Sequence, residues 1–353
     1  MNKVIKIGPH VIGGNNPVFV IAEMSANHLK DFDRAKEIIR LAKESGADAI
    51  KLQTYRPDTI TFNSRNEEFM AEKGGLWEGK TLYELYESAY TPWEWHSALF
   101  SYAEEIGLTI FSSPFDLTAV DFLEELDVPA YKIASYEIND IPLIKKTAST
   151  GKPMIISTGI AEKEDIELAL DTCRSVNNEN VILLKCASEY PTPYDDLNLR
   201  SIGDIESSFD CIVGLSNHSM GSAVDVAAVA LGACVIEKHL TVRRSDGGPD
   251  GAFSMEPEEF SEMVVNIRNA QRALGNGAYT LTRKQKNGRS WSRSLYVVKD
   301  MKKGDEFTED NLKSIRPGYG LHTKYYFDLL GRKCTSDIKA GSAMKLEFAE
   351  GMQ

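Results

Sequence analysis

The sequence predicts an α/β fold: a (β/α)8 TIM barrel followed by a small, mostly β domain. Two observations carry that expectation. From residue 18 onward, a short apolar run followed by a segment of helical periodicity recurs eight times, the pattern of a barrel in which each strand is followed by a helix. A doubly wound dinucleotide-binding sheet would instead show a GxGxxG loop after its first strand, and none stands there.

The elements follow in order. "VFVIAEM" (18–24) is the first strand, and "DRAKEIIRLAKESG" after it sets Ile38, Ile39, Leu41 and Ala42 on one helical stripe and stops at Gly46. "DAIKLQTY" (48–55) is the second. An aromatic-rich insertion, roughly 56–92, interrupts the rhythm; after a barrel strand such an insertion forms a lid or substrate wall, or an oligomer contact. The remaining strands are "LTIFSSPF" (108–115), "AYKIASYE" (130–137), "PMIISTG" (153–159), "VILLKCAS" (181–188), "CIVGLSNHS" (211–219) and "CVIEKHLT" (234–241). Each is nearly all apolar before its end, as parallel strands covered on both faces require. The helix "EKEDIELALDTCRSV" carries its acids in the first turn, where the helix dipole favours them.

The expected domains are a barrel over 1–274, a polar linker over 275–289 and a β module over 290–353, inside which Asp300-Met-Lys-Lys-Gly304 is echoed by Asp337-Ile-Lys-Ala-Gly341. Hydrophobic residues make up 42% and charged residues 26%, an ordinary soluble composition. No apolar run approaches the roughly 20 residues of a membrane span, and the N-terminus lacks a secretory h-region. Five scattered cysteines without a CxxC pair suit reduced thiols, so a cytoplasmic protein is expected. The net charge of −12 argues against nucleic-acid partners. Residues 281–353 hold 15 Lys and Arg against 9 Asp and Glu, a net +6 that leaves −18 on residues 1–280. Either the two surfaces differ by chance, or a basic module docks on an acidic barrel.

Barrel enzymes carry their reacting groups at the C-terminal ends of the strands. Here those positions read Glu23, Lys51, Gln53, Ser112, Ser113, Lys132, Ser135, Ser157, Thr158, Lys185, Ser188, Ser216, His218, Glu237, Lys238 and His239. So many polar groups at a barrel mouth carry a desolvation cost unless a ligand satisfies them. Lysines and hydroxyls suit phosphate and carboxylate oxygens. His218 and His239, ending successive strands, suit a divalent cation with open positions, and two histidines alone leave manganese, magnesium, cobalt and zinc open. Glu23 is placed as a general base or acid, or as a salt-bridge partner of Lys51. Lys132 or Lys185 could also serve as the Schiff-base nucleophile of an aldolase.

These residues resemble the sialic acid synthase family, phosphoenolpyruvate-dependent nonulosonic acid synthases with a C-terminal SAF (antifreeze-like) domain. The matching stretches are "AEMSANH", "IKLQTY", "AYKIASYE", "PMIISTG", "YPTPYDDL", "GLSNHS", "IEKHLT", "GGPDGAFSMEPEEF" and "IRPGYG", in order along nearly the whole chain. The "SANH" box and the insertion are most similar to the branch that makes pseudaminic acid. N-acetylneuraminate and legionaminate synthesis are the alternatives. Two departures stand out: "NHLK" where "NHNG" is common, and Asn217 where Asp often stands.

The resemblance implies that His218 and His239 bind a divalent ion (Mn2+, Mg2+ or Co2+) and that Glu23, Lys51, Lys132 and His239 are catalytic. It implies that Lys51, Ser113, Lys132, Ser135, Ser157, Ser188 and Ser216 hold phosphoenolpyruvate, and that Gln53, Tyr190 and Asp250 face an N-acylated amino sugar. Arg316, or more weakly Arg293, would reach from the SAF domain into a partner's barrel, in a domain-swapped homodimer.

Overall fold

The computed structural model describes residues 3–71 and 79–352. The "EKGGLWE" stretch of the insertion (72–78) lies outside the described residues. Contacts divide the chain into two units, Met1–Gly275 and Asn276–Gln353.

The first unit opens with a hairpin that the sequence reading did not anticipate, β1 (Ile5–Ile7) paired antiparallel with β2 (His10–Ile12). Eight strands follow: β3 (Phe19–Glu23), β4 (Ala49–Thr54), β5 (Thr109–Pro114), β6 (Tyr131–Ile133), β7 (Met154–Ser157), β8 (Val181–Cys186), β9 (Ile212–Asn217) and β10 (Val235–His239). They close in chain order, every neighbouring pair parallel, with β10 returning to β3. The expected barrel is therefore the fold.

Side chains alternate across each strand, so each apolar run divides between two cores. Phe19, Ile21, Ala49, Phe111, Ala130, Ile155, Ile182, Leu184, Ile212 and Val235 fill the barrel interior. Their neighbours Val20, Ile50, Tyr131, Ile156, Leu183, Val213 and Ile236 join the surrounding helices. Ile5, Ile7 and Ile12 of the hairpin join the interior cluster beside the first residues of the strands, closing the end opposite the mouth. Each buried isoleucine contributes about 1.5–3 kcal/mol of apolar burial. Gly214 is required inside: a Cβ there would stand 2.4 Å from the Val235 carbonyl oxygen and 2.7 Å from Leu184 Cδ2.

Helix α1 (Phe32–Glu44) starts where Asp31 accepts from the backbone N–H groups of Asp33 and Arg34, and it buries Ala35, Ile38, Ile39 and Ala42. Leu41, expected on the same stripe, is only half-buried. Within the insertion, α2 (Pro57–Ile60) precedes α3 (Leu82–Ala89), whose capping box pairs Thr81 and Glu84 reciprocally. Helix α4 (Trp93–Glu105) then leads into β5.

The second unit pairs β11 (Ser294–Val297) antiparallel with β12 (Leu312–Ile315) over a core that includes Leu295, Val297, Met301, Phe307, Leu312, Ile338 and Met344. A short helix occupies Arg283–Gly288, inside the segment expected to be linker. The internal echo is a structural symmetry. Met301 and Ile338 exchange both backbone hydrogen bonds, while Lys302 pairs with Asp337 and Lys339 with Asp300, each at 2.7 Å.

Candidate functional site

Strand alternation sorts the sequence-predicted residues. Those in register with the interior layer, two or four positions further along each strand, converge at the mouth: Glu23, Lys51, Gln53, Ser113, Lys132, Ser157, Ser216, Glu237 and His239. Their companions one position away along each strand do not. Ser112 Oγ lies 2.7 Å from Thr54 Oγ1, which lies 2.8 Å from His96 Nε2, in a fully buried chain behind β4 and β5. Lys238 donates to the backbone carbonyls of Ser219 and Gly221 and lies 3.8 Å from Asp225. Asn217 donates to that same Asp225 at 2.8 Å, so this departure from the family pattern sits beside the mouth rather than in it. Lys185 occupies the outward parity of β8, while Cys186 takes the inward one. The expectation of Ser112, Lys185 and Lys238 in the mouth is thereby corrected.

Lys51 is the centre of the cluster. Its Nζ stands 2.6 Å from Glu23 Oε2, 3.9 Å from Glu237 Oε2 and 3.3 Å from Ser113 Oγ. One cation thus faces two buried carboxylates. Burial opposes the Lys51 charge, but Glu23 and Glu237 more than offset it and hold its pKa above the usual lysine value. Burial holds Glu23 above the ordinary carboxylate range in spite of Lys51. Burial would raise Glu237 too, yet Lys51, Lys132 and the hydrogen bond from Ser216 at 2.9 Å outweigh it. Lys132, its Nζ donating to the Ile133 carbonyl at 2.9 Å, is pulled down by burial.

The hydroxyls gather beside these cations. Gly159 N donates to Ser135 Oγ at 3.2 Å. A Cβ on Gly159 would lie 2.1 Å from Ser188 Oγ and 2.6 Å from Ser135 Oγ, so glycine keeps open a cradle between them. Ser157 Oγ is buried without a hydrogen-bond partner among the described residues, an uncompensated cost that a ligand would remove. Cys186, missed in the sequence, lies 3.9 Å from Ser188 Oγ and 3.8 Å from His218 Nδ1. Extending the inward parity of Ile182 and Leu184 by two residues would have found it.

His218 and His239 face each other with ring centroids 5.2 Å apart, with Tyr190 4.4 Å from His218 and Phe253 5.0 Å from His239. His218 Nδ1 lies 3.3 Å from the Ala187 carbonyl, to which it can only donate. Its Nε2 lone pair is then left for a ligand, the usual support for a metal-binding histidine. His239 is held neutral, with burial the main cause and His218 the next, and its buried Nδ1 has no partner among the described residues. The pair fits a divalent cation. Among the described residues no group of three or more His, Cys, Asp and Glu is arranged to hold one, so water or substrate would complete the coordination.

On the other side of Glu23, Gln53 Nε2 donates to Glu23 Oε1 at 3.0 Å and to Ser25 Oγ at 2.9 Å, and Ser25 in turn donates to Asp250 Oδ2. The "NHLK" turn holds Leu29 and Lys30 at φ of 51° and 60°, the left-handed region that suits Asn-Gly. Lys30 Nζ rests 3.1 Å from the centroid of the Tyr90 ring. Tyr86 and Tyr90 pack on Tyr55, which directly follows β4, at 5.7 and 6.5 Å, so the described part of the insertion walls one edge of the mouth. Arg316 stands in the second unit, directly after β12; Arg293 there donates to the Ser314 carbonyl at 2.6 Å.

A closed parallel barrel with its polar groups gathered at the C-terminal strand ends defines a (β/α)8-barrel enzyme. Residues 38–279 match the NeuB family and residues 292–345 the SAF domain, and the chain belongs to the NeuB family. It is 48% identical over 328 residues to the pseudaminic acid synthase of Campylobacter jejuni subsp. jejuni serotype O:2, which covers 93% of this chain and 95% of that one. To the pseudaminic acid synthase of Helicobacter pylori it is 44% identical over 335 residues, 95% of this chain and 98% of the other. The crystal structure of a sialic acid synthetase from Leptospira borgpetersenii in complex with citrate superposes with a TM-score of 0.73 at 33% identity, over 81% of this chain and 94% of that one.

Proposed function

We propose that this chain condenses phosphoenolpyruvate with 2,4-diacetamido-2,4,6-trideoxy-β-L-altropyranose, in its open-chain form, to give pseudaminic acid and phosphate. The observation that carries the reading is the buried mouth itself. Two lysines and the hydroxyls of Ser113, Ser135, Ser157, Ser188 and Ser216 suit the phosphate and carboxylate of phosphoenolpyruvate. Gln53, Tyr190 and Asp250 are assigned to the sugar, with Gln53 and Asp250 joined through Ser25 and Tyr190 packed on His218.

In this reaction C3 of phosphoenolpyruvate bonds to the aldehyde carbon, and the aldehyde oxygen takes up a proton. Water adds at C2, and the C2–O bond breaks to release phosphate, leaving a ketone. Lys51 and Lys132 stabilise oxygens whose charge changes along this path. Glu23, with its raised pKa, exchanges the proton of the attacking water or of the aldehyde oxygen. His218 and His239 would hold a divalent cation (Mn2+, Mg2+ or Co2+), which supplies Lewis-acid polarisation of the aldehyde. Arg316 of a second copy contacts the sugar's N-acyl group, making the functional unit a domain-swapped homodimer.

The test is phosphate release from phosphoenolpyruvate with this sugar, with the legionaminic acid precursor and with N-acetylmannosamine in parallel. Preference for the altrose-type sugar supports the reading. Preference for another sugar moves the chain to another branch, and trapping a borohydride-reduced pyruvate adduct on Lys132 would replace the mechanism by an aldolase.

A further inference from the structure

We propose that Ser25 is a positioning residue that fixes the hydrogen-bond polarity of Gln53 and Asp250, so that both present acceptor oxygens to the sugar. This rests on the reading that those two residues face the sugar. The directions follow from the chemistry of each group. An ionised carboxylate only accepts, so with Glu23 ionised Gln53 turns its amide nitrogen toward Oε1, at 3.0 Å. The same nitrogen lies 2.9 Å from Ser25 Oγ, which accepts there and spends its single proton on Asp250 Oδ2. With both N–H groups of Gln53 engaged, what it can offer a ligand is its carbonyl oxygen. With Oδ2 of Asp250 engaged by Ser25 and by Ala26 N at 3.4 Å, what Asp250 can offer is its other oxygen. Two acceptors oriented by one hydroxyl select donors, which on an amino sugar are hydroxyl O–H and amide N–H groups.

The backbone supplies an independent argument. Ser25 has φ of 46°, the left-handed region where a Cβ is disfavoured and glycine is not. It is 5% exposed, so its hydroxyl is not there for solubility. A serine kept in a glycine conformation retains its side chain for what that side chain bonds, and here those bonds run to Gln53 and Asp250.

The experiment compares wild type, Ser25→Gly, Ser25→Ala, Asp250→Asn and the Ser25→Gly/Asp250→Asn double variant, all full-length, with added Mn2+. A merely structural serine predicts a lower melting temperature in Ser25→Gly. The positioning role predicts a melting temperature equal to or above wild type, an unchanged KM for phosphoenolpyruvate, and a KM for the sugar raised about ten-fold, the loss of one hydrogen bond. Because Ser25 acts through Asp250, the double variant should be little worse than Asp250→Asn alone. A wild-type sugar KM in Ser25→Gly, equal rises in both KM values, or multiplicative effects in the double variant would each overturn the assignment. Absence of turnover by wild type with every sugar would overturn the parent reading, and this one with it.

Discussion

Lys51 Nζ sits 2.6 Å from Glu23 Oε2, and both side chains are almost wholly withdrawn from solvent. Glu237 shares the same lysine at 3.9 Å, so the two ends of the pair respond differently to substitution. Glu23→Gln leaves Lys51 with one carboxylate and keeps the shape of the site. It should cost at least about a hundred-fold in kcat, the contribution of a placed acid or base, with little loss of stability. Lys51→Met strands two buried carboxylates, and breaking a buried pair from one side costs about 3–5 kcal/mol. Urea melts beside the phosphate-release assay check both. Equal destabilisation by the two variants would contradict this charge arrangement.

The histidine pair makes a prediction that does not depend on turnover. Calorimetric titration of Mn2+ or Co2+ into the apoprotein should show one site per chain, lost in both His218→Ala and His239→Ala. Chelator should abolish phosphate release, and added metal should restore it to wild type only. Unaltered cation binding in either variant would remove that histidine from the site.

Gly159 tests the cradle. Its φ is outside the left-handed region, so alanine is tolerated by the backbone there, but the added methyl would meet Ser188 Oγ and Ser135 Oγ at 2.1 and 2.6 Å. Both hydroxyls would have to swing away. Gly159→Ala should therefore raise the KM for phosphoenolpyruvate about ten-fold, the order expected for one displaced hydrogen bond, and leave the sugar KM near wild type. A selective effect on the sugar would place the anion elsewhere.

How much of this was legible in the sequence depended on parity. The eight strands and the mouth were readable because buried parallel strands are apolar until they end. Lys51 with Gln53, and Glu237 with His239, follow from a spacing of two. What could not be read was which of two adjacent polar residues faces inward, since that requires the register of each strand against the barrel interior. Ser112 against Ser113, and Lys185 against Cys186, are decided by that alone. Ser25 escaped because its role lies in a φ of 46°, which a sequence does not display. The hairpin that closes the far end is two short strands of mixed residues, below the length at which periodicity speaks.

Buried histidines supply a pH dependence with a definite sign. Burial carries His96 down to about 4 from an ordinary 6.5, with the Pro92 carbonyl, 3.2 Å from Nδ1, opposing weakly. The folded chain keeps the ring neutral while the unfolded chain takes up a proton below pH 6.5. The unfolded state then binds more protons, so this contribution to stability is complete above pH 6.5 and is lost as pH falls toward 4. His28, also carried to about 4 by burial and bonded to Thr91 at 3.2 Å, acts in the same direction. Replacing His96 by Gln keeps a polar partner for Thr54 but removes the titration. The slope of urea-melt stability between about pH 4.5 and about pH 7 should be flatter in His96→Gln than in wild type. Parallel curves would mean that His96 does not carry the shift.

Arg316 gives the last prediction. The second unit carries the positive excess and the first the negative: +6 on residues 281–353 against −18 on 1–280. Association of the module with a barrel of another copy thus has an electrostatic driving force, one that salt weakens. A guanidinium offers planar N–H donors to an acyl carbonyl, which no apolar side chain replaces. Losing such a contact in a closed site costs roughly 1–3 kcal/mol, or about 10- to 100-fold in kcat/KM. Arg316→Ala should raise the sugar KM and leave that of phosphoenolpyruvate nearly unchanged. Truncation after Leu274 should leave a folded barrel with very poor turnover. Mixing Arg316→Ala with Glu23→Ala subunits should raise activity above the sum of the two alone at low sugar concentration, because one site of the mixed dimer combines an intact barrel with an intact arginine. Failure to exceed that sum, under conditions where labelled subunits demonstrably exchange, would eliminate the swapped arrangement and return Arg316 to its own chain.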